Sequence, residues 1–453
     1  NFIFDFGYTE GYKKTSKTKK VGNKSHVFVN FLKDFDTSNK ISNNLEINLQ
    51  HVSDKKYLKL YKIDSKLIDY EAEVLENYID YSRINENKNS FLSLNLNNYR
   101  TLADTYNDKY EFILPEINYE KQLFGSKFGY GELRTNFKVH NYDTNKNKRF
   151  LTNNLDWNID RPFAEKILNG KIMTKLKNIN YEVKNVDGFK PDTTSEIFGA
   201  IGYLASLDFY KSNLGMSNHI LTPKMLIKYS PNYMRKEKVD FNLYGKNLFE
   251  LDRIQSNENF EGGTNLTAGF DYKIKKEKSN IGFSLGQIVN EKKNNKNMPD
   301  SSSLDKRFSD VIGNFNYNKN EKFSLEYNFS VDQNYKETNL NDVNMNYMSN
   351  NITFKMNYLE EEKKSGNNEY FKTALEYNKG DNSIFSFSNK RNLITNSSEF
   401  YDLSYEYLND CLKAGIFYRR EFYNDSEIEA ENSLMFKITL STFGSVNTPS
   451  ISN

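Results

Sequence analysis

The residue types that most often carry catalysis or metal binding are scarce in this sequence. Its 453 residues include one cysteine and four histidines, which are His26, His51, His140 and His219. Zinc sites use cysteines and histidines at short, regular spacing, and helical protease sites use an HExxH pattern. Neither arrangement occurs here. The spacing therefore predicts no metal site, and no other stretch indicates a cofactor.

Two further stretches could bind phosphate or transfer protons, but both are typical of loops. The stretch 125–131, GSKFGYG, lacks the Lys-Ser/Thr pair of a phosphate-binding loop and is typical of a hairpin turn. Glu360 and Glu362 lie beside lysines in a charged run. Acid–base catalysis needs carboxylates placed against a reacting group, and no nucleophile–base set accompanies these two. The sequence therefore predicts no catalytic residues and a protein that is not an enzyme.

The composition indicates a folded chain whose apolar residues are spaced singly. Hydrophobic content is 37% and mean hydropathy is −0.79. Both values are low for a soluble protein of this length, because larger proteins bury a larger share of their surface. Disorder is disfavoured by an aromatic content of 15%, since disordered chains are poor in aromatics. The net charge of +2 gives no overall field that would select nucleic acid.

Apolar and polar residues alternate along many runs of the chain. Successive side chains of a β-strand point to opposite faces, so this period of two predicts strands with one apolar and one polar face. The runs are 2–8, 45–49, 92–96, 266–274, 323–331, 352–358, 371–377, 412–418 and 434–440. No helical period is sustained, and no change of composition divides the chain. Pro115, inside a predicted strand, is expected to mark a bulge or a weakly paired strand.

Two architectures use strands of this kind. In a soluble sandwich the apolar face points inward and strands are short, whereas in a membrane barrel it points to lipid and the polar face lines a wet lumen. Several runs here span about 9–11 residues, the length of membrane strands, and their polar positions include charged residues that a dry core would not tolerate. The predicted fold class is therefore all-β, a large antiparallel transmembrane β-barrel of the outer membrane.

The approach to the run 266–274 differs from the strands. Residues 248–263, LFELDRIQSNENFEGG, are polar and without periodicity, which predicts a loop or a bend that faces the lumen. Gly262 and Gly263 would let the backbone kink before the strand begins. Asp252 and Arg253 are expected to lie in water or to form pairs, because neither charge can face hydrocarbon cheaply.

Parts of this region resemble the signature of the LPS-assembly protein (LptD) family, also called organic solvent tolerance proteins. The resemblance rests on LDRI, EGG and the GQ of FSLGQIV, together with segments 43–61, 220–231 and 408–445, which follow the order of the family. The signature residues are Leu251, Asp252, Arg253, Ile254, Glu261, Gly262, Gly263, Gly286 and Gln287. They form either a turn that shapes the barrel or a contact with a plug protein or with passing lipid.

The resemblance implies a barrel of about 26 strands, at the large end of the known range. It also implies an LptE-like plug lipoprotein inside the barrel and a periplasmic LptA-type bridge that delivers lipopolysaccharide through an N-terminal jelly-roll domain. This chain resembles the later part of the barrel, so that domain and the first strands are expected to be missing. We expect one LptD-like β-barrel domain over residues 1–453, partial, with roughly 18–22 strands and a sheet that is incompletely closed or closes at a non-native seam.

Two further sites follow from the resemblance. The family has two adjacent cysteines that bridge to the N-terminal domain, and this sequence has Asp410-Cys411 at that place. Cys411 is therefore a candidate for one interdomain disulfide, with an unpaired small residue as the alternative. The candidate gate strand closes the barrel against a first strand outside this chain. Its residues are Leu434, Phe436, Ile438 and Leu440.

The expected function is that of an outer-membrane translocon component in a Gram-negative bacterium. It would insert lipopolysaccharide into the outer leaflet through a lumen and a lateral gate, in contact with outer-membrane lipid and without nucleic acid. The first alternative is another outer-membrane barrel, either a porin or a receptor-type transporter. The second is a soluble all-β adhesin or glycan-binding module, which detergent-free solubility would favour.

Overall fold

Almost all regular structure in a computed structural model of the chain is antiparallel β-sheet. The structure describes residues 1–9, 23–38, 40–61, 63, 65–70, 72–103, 108–125, 128–162, 168–213, 217–362, 367–380, 382–409, 412–422, 432–440, 444–447 and 451–452. Contacts divide the chain into two compact units. Unit 1 contains Asn1–Ile159, Met173–Ala200 and Gln255–Phe260, and unit 2 contains Asp160–Ile172, Ile201–Ile254 and Glu261–Asn453.

Twenty-five strands form within the described residues. The first twelve are β1 (Phe2–Thr9), β2 (Lys24–Ser38), β3 (Ile41–Val52), β4 (Val74–Asn85), β5 (Ser90–Thr101), β6 (Tyr110–Phe124), β7 (Tyr130–Tyr142), β8 (Asn147–Asp160), β9 (Asn169–Lys184), β10 (Thr194–Ser206), β11 (Phe209–Asn213) and β12 (Ser217–Tyr229). The others are β13 (Asn265–Lys276), β14 (Ser279–Asn290), β15 (Val311–Lys319), β16 (Phe323–Val331), β17 (Thr338–Met348), β18 (Ile352–Glu361), β19 (Asn368–Lys379), β20 (Ser383–Asn392), β21 (Ser397–Leu408), β22 (Leu412–Glu421), β23 (Asn432–Leu440), β24 (Gly444–Asn447) and β25 (Ile451–Ser452).

The helical elements are short. They are α1 (Tyr57–Tyr61) and two 3-10 turns, Glu86–Lys88 and Asp300–Ser302. In the described part of the chain, none of the helices has the length and apolar character needed to span a membrane.

Each run of alternating residues predicted as a strand lies in one, so these predictions are confirmed. The number of strands is a correction, because 25 exceeds the expected 18–22. Three strands, β11, β24 and β25, have only five, four and two residues, and alternation cannot be recognised over so short a run. The remaining 22 lie at the upper end of the expected range.

In unit 1 the strands β1 to β8 pair in chain order, each antiparallel to the next. The register of β6 against β7 shifts between Ile113 and Glu116, on either side of Pro115. Because proline cannot donate a ladder hydrogen bond, the predicted bulge is confirmed at this point. Between β3 and β4, α1 places Tyr57 and Leu58 in a buried apolar cluster with Phe28 of β2.

In unit 2 the strands from β12 to β23 also pair in chain order. Short and long connections alternate along this meander. Residues 277–278 and 320–322 are tight turns, whereas 230–264 and 291–310 are long connections. In a meander of consecutive antiparallel strands, alternate connections lie at opposite ends of the sheet. The long connections of unit 2 therefore share one end and the short turns share the other.

The two faces of these strands differ in chemistry. Large apolar side chains on one face are exposed, as in β21, where the exposed fractions of Leu403 and Tyr407 are 50% and 39%. The other face carries hydrogen-bonded polar side chains. Asn314 donates to Asn328 over 2.7 Å, and Asn357 of β18 donates to Asn344 of β17 over 2.7 Å. Large apolar rows at the surface are typical of strands that face lipid.

Candidate functional site

The segment that carries the family signature forms no strand between residues 230 and 264. Instead it brings charged residues into a buried group in unit 2, which we call the ionic cluster: Lys228, Asp252, Arg253 and Glu261. The exposed fractions of these residues range from 0% to 2%. Ionised side chains are rarely buried so completely unless they are paired. Neither Asp252 nor Arg253 lies in water: Arg253 is paired with Glu261, and Asp252 accepts a hydrogen bond from the backbone N–H of Glu261.

Glu261 lies at the centre of the ionic cluster. Its Oε1 is 2.8 Å from Lys228 Nζ and 2.5 Å from Arg253 Nη1. The backbone N–H of Arg253 donates to Oε2 over 3.0 Å. The backbone N–H of Glu261 in turn donates to Asp252 Oδ1 over 3.1 Å. One carboxylate therefore ties the end of β12 to the two halves of the signature segment.

Arg253 connects the segment to the neighbouring strand. Its Nη2 donates to Asn265 Oδ1 over 3.0 Å and to Thr267 Oγ1 over 3.1 Å. Both acceptors lie on the buried face of β13, while Leu266 between them is exposed. Arg253 Nε also donates to the carbonyl of Leu248 over 3.2 Å. A guanidinium can make several hydrogen bonds in one plane, which suits arginine to this position.

The charges of the ionic cluster balance, with two cations and two carboxylates. Burial acts to raise the pKa of Glu261, but the Arg253 guanidinium and the Lys228 ammonium outweigh it and hold this pKa below its usual value. Both oxygens of the Glu261 carboxylate accept hydrogen bonds from these neighbours. The arrangement is thus suited to holding the segment in place rather than to moving protons.

The two glycines fit a close approach of the chain to itself. A Cβ at Gly262 would lie 2.8 Å from the carbonyl oxygen of Pro231 and 3.0 Å from that of Tyr233. Gly263 has a φ of +103°, and its N–H donates to the carbonyl of Pro231 over 3.3 Å. The kink predicted from the Gly-Gly pair is therefore present, immediately before β13 begins.

Substituting Gly262 with alanine is expected to lower the free energy of unfolding by about 1–3 kcal/mol, because the added methyl group meets two backbone carbonyls that cannot rotate away. Urea unfolding followed by circular dichroism would measure it. Gly245→Ala is the control, since the nearest atoms to a Cβ built at Gly245 lie 3.6 Å or more away, at ordinary contact distance. A loss for Gly262→Ala no larger than for the control would contradict the steric explanation.

The remaining signature residues pack around the same segment. Leu251 is buried, and a Cβ on Gly202 would lie 2.7 Å from its side chain. Gly286 of β14 leaves room for Leu248, whose Cδ2 would clash with a Cβ at that position. Ile254 packs against a buried apolar cluster of unit 2. The members of that cluster are Met234, Leu243, Leu248, Ile288, Met298, Leu304 and Ile312.

Gln287 holds the second long connection. Its Nε2 donates to the carbonyl of Ser309 over 2.8 Å, and Ser309 Oγ accepts from the N–H of Ile288 over 2.9 Å. The connections 230–264 and 291–310 thus both lie against β14. Between them is a cavity of about 180 Å³ whose wall includes Glu261.

In unit 1, a buried lysine holds residues 255–260 against β9. Lys177 Nζ donates to the carbonyl of Ser256 over 2.7 Å and to that of Asn259 over 2.9 Å. It also lies 5.4 Å from the centre of the Phe260 ring, within the range of a cation–π contact. Thr152 of β8 donates to the carbonyl of Asn257 over 2.9 Å. This part of the segment is therefore fixed by hydrogen bonds to its backbone.

The comparison with known families agrees with this arrangement of the signature. The family described as "LptD: LPS transport system D" matches residues 24–407, which is most of the chain. The chain belongs to the LptD family. A search of curated proteins gives no match. Members of the LptD family are β-barrels of the outer membrane that serve lipopolysaccharide transport and assembly, and the all-β structure of this chain agrees with that fold.

Membership in the LptD family also sets the class of partner and of activity. The substrate of the family is lipopolysaccharide, and its partners belong to the Lpt transport system. Its members are transport and assembly proteins rather than enzymes. Among the residues that the structure describes, no group of three or more His, Cys, Asp or Glu residues could hold a metal ion.

The two other predicted sites of the LptD-like chain are the candidate disulfide cysteine and the candidate gate strand. Cys411 and Asp410 fall outside the described residues. The candidate gate strand is β23, which pairs with β22 and exposes Leu434, Phe436 and Ile438. Leu440 pairs through its backbone with both Leu412 and Gly444. β23 is therefore not the last strand, since β24 and β25 pair with its other edge.

Sequence reasoning missed Lys228 and Lys177 as members of these contacts. Each lies on the polar face of a strand, where a lysine in a barrel is expected to face water. Their partners are 33 residues (Glu261) and 79 residues (Ser256) further along the chain, so no local spacing points to the pairs. The one available signal was Glu261, because a carboxylate beside a Gly-Gly kink would need a cation as its partner if the segment were buried.

Proposed function

We propose that this LptD-family chain inserts lipopolysaccharide into the outer leaflet of the outer membrane of a Gram-negative bacterium. The polar face of its strands lines a lumen that accepts the hydrated sugar, and the acyl chains enter lipid through a seam between strands. The observation that carries this proposal is the contrast between the exposed apolar rows and the hydrogen-bonded asparagines on the opposite face. Apolar rows suit lipid, whereas amide ladders suit a wet lumen.

The partners follow from the same family role. An LptE-like plug lipoprotein would occupy the lumen, and a periplasmic LptA-type bridge would deliver the substrate through an N-terminal domain. Outer-membrane barrels have short periplasmic turns and longer extracellular loops. On this rule the connections 230–264 and 291–310 lie at the extracellular end of the strands. Cys411, which follows β21 in the sequence, would form the interdomain disulfide.

The signature segment supports the lumen route in a specific way. It carries a buried group of charges that could not lie in hydrocarbon, and it is fixed to β12 and β13 by Glu261 and Arg253. We infer that the segment is a fixed part of the lumen wall. At the seam, β23 would act as a gate strand only when β24 and β25 leave its edge.

Photo-crosslinking on β17 tests the proposed route. Asn346 and Tyr347 are neighbours whose side chains point to opposite faces, and Tyr347 is 41% exposed on the apolar face. A photoreactive residue at position 346 is expected to capture lipopolysaccharide in cells. The same residue at position 347 is expected to capture phospholipid instead. Capture would be measured as a shifted band that carries lipopolysaccharide.

The pair of positions serves as its own control, because both lie on one strand at nearly the same depth. Lipopolysaccharide adducts at position 347 but not at position 346 would contradict passage along the polar face. Equal absence at both positions, in a variant that still assembles in the membrane, would also count against the route. The porin and transporter alternatives predict no lipopolysaccharide adduct at either position.

A further inference from the structure

We propose that the cavity between the connections 230–264 and 291–310 of unit 2 binds an anionic sugar. That lipopolysaccharide supplies this sugar rests on the proposed function. The cavity has a volume of about 180 Å³. That is the space of about six water molecules at ~30 Å³ each, enough for one sugar ring. It lies at the end of unit 2 that carries the long connections.

Polar groups cover much of its wall. Asn232, Asn290 and Asn294 line it, together with Thr264 and the backbone of Gly262. Asn290 is held by donating to the carbonyls of residues 304 and 306, over 3.3 and 2.8 Å. Amide and hydroxyl groups that line a concave site are suited to bind the hydroxyl groups of a sugar.

The charged groups of the wall favour an anion. Lys292 and Lys293 line the cavity, and within the described residues neither has an ion pair or a hydrogen bond for its ammonium group. Glu261 also lines it, but its carboxylate is neutralised by Lys228 at 2.8 Å and Arg253 at 2.5 Å. The wall therefore offers two unpaired cations against one carboxylate that is already paired. A phosphate or carboxylate on the sugar would form charge-assisted hydrogen bonds with the two lysines.

The floor of the cavity distinguishes a sugar from a simple ion. Met298 and Leu304 line it and belong to the buried apolar cluster of unit 2. The C–H face of a sugar ring can pack on such side chains, whereas inorganic phosphate gains nothing from them. An acyl chain is disfavoured, because it would bury the asparagines and lysines without hydrogen bonds.

The test uses the full chain in detergent micelles and three probes: glucose 6-phosphate, glucose and inorganic phosphate. Calorimetric titration is expected to show saturable binding of glucose 6-phosphate that is at least about tenfold tighter than that of either other probe. The double variant Lys292→Ala/Lys293→Ala should weaken this binding by about tenfold or more. Lys275→Ala/Lys276→Ala is the control, because it removes the same charge from exposed residues at the opposite end of β13.

No saturable binding of glucose 6-phosphate, or equal binding by the cavity variant and the control, would overturn the inference. Inorganic phosphate that binds as tightly as glucose 6-phosphate would overturn its sugar part. The crosslinking at position 346 separates this result from the proposed function. Capture of lipopolysaccharide without sugar binding would refute only the cavity site. Sugar binding without capture would refute lipopolysaccharide as the source of the bound sugar.

Discussion

Replacing Glu261 with glutamine is expected to lower the free energy of unfolding by about 3–5 kcal/mol, since removing one partner leaves buried charges uncompensated. Lys228 and Arg253 would share a site that only Asp252 still balances. The amide nitrogen of glutamine would also face a donor in either orientation, because Oε1 accepts from both cations and Oε2 accepts from the backbone N–H of Arg253. Urea unfolding of the protein in lipid or detergent, followed by circular dichroism, measures the loss.

Two further variants test whether charge, rather than shape, causes this loss. Glu277→Gln makes the same chemical change at an exposed turn residue and is expected to change stability by less than about 0.5 kcal/mol. Lys228→Met combined with Glu261→Gln removes one charge of each sign. The double variant should therefore be more stable than the single Glu261→Gln variant by about 1 kcal/mol or more. A double variant whose losses simply add would refute the coupling of the two groups.

The same carboxylate predicts a dependence on pH. The pKa of Glu261 is lowered on folding from an ordinary value of 4.5. A group of this kind binds its proton less readily when folded, so its contribution is fully present above the pKa of the unfolded chain and is lost as pH falls through the lower, folded value. The difference in stability between wild type and Glu261→Gln should therefore be constant above about pH 5.5 and shrink below 4.5.

The strands were predictable because their signal is local. Alternation over a few residues fixes which side chains share a face, so the range from 266 to 274 was enough to predict β13 and its exposed side. The Gly262-Gly263 kink was also predictable, since two adjacent glycines before a strand allow backbone conformations that other residues rarely adopt. Short strands such as β24 were not, because four residues cannot display a period.

The ionic cluster and the cavity were beyond sequence reasoning for a different reason. Both depend on which long connection lies over which strand, and that is decided by the packing of apolar residues such as Leu248 and Met298. Lys292 and Lys293 belong to a run that reads as an ordinary solvated loop. Only the structure shows that the two lysines line the same cavity as Asn232 and Gly263 of the other connection.

Replacing Lys177 with methionine is expected to open residues 255–260 locally in unit 1. The ammonium group donates to the carbonyls of Ser256 and Asn259, and buried hydrogen bonds to a charged group contribute about 1.5–3 kcal/mol each. Methionine keeps the apolar stem but leaves both carbonyls without this donor. A loss of about 2 kcal/mol in the local opening free energy would speed amide hydrogen exchange in the segment by roughly 30-fold.

Lys184→Met in the same strand is the matched control, because the Lys184 side chain is 67% exposed and its contact with Glu182 is 3.6 Å long. That variant should leave exchange at residues 255–260 unchanged. Unchanged exchange in the Lys177 variant as well would show that Thr152 and the buried ring of Phe260 suffice to hold the segment. Faster exchange confined to these residues would instead show that the buried Lys177 ammonium holds the segment in place. Its two hydrogen bonds are made to backbone carbonyls, so they do not depend on the side chains of the segment.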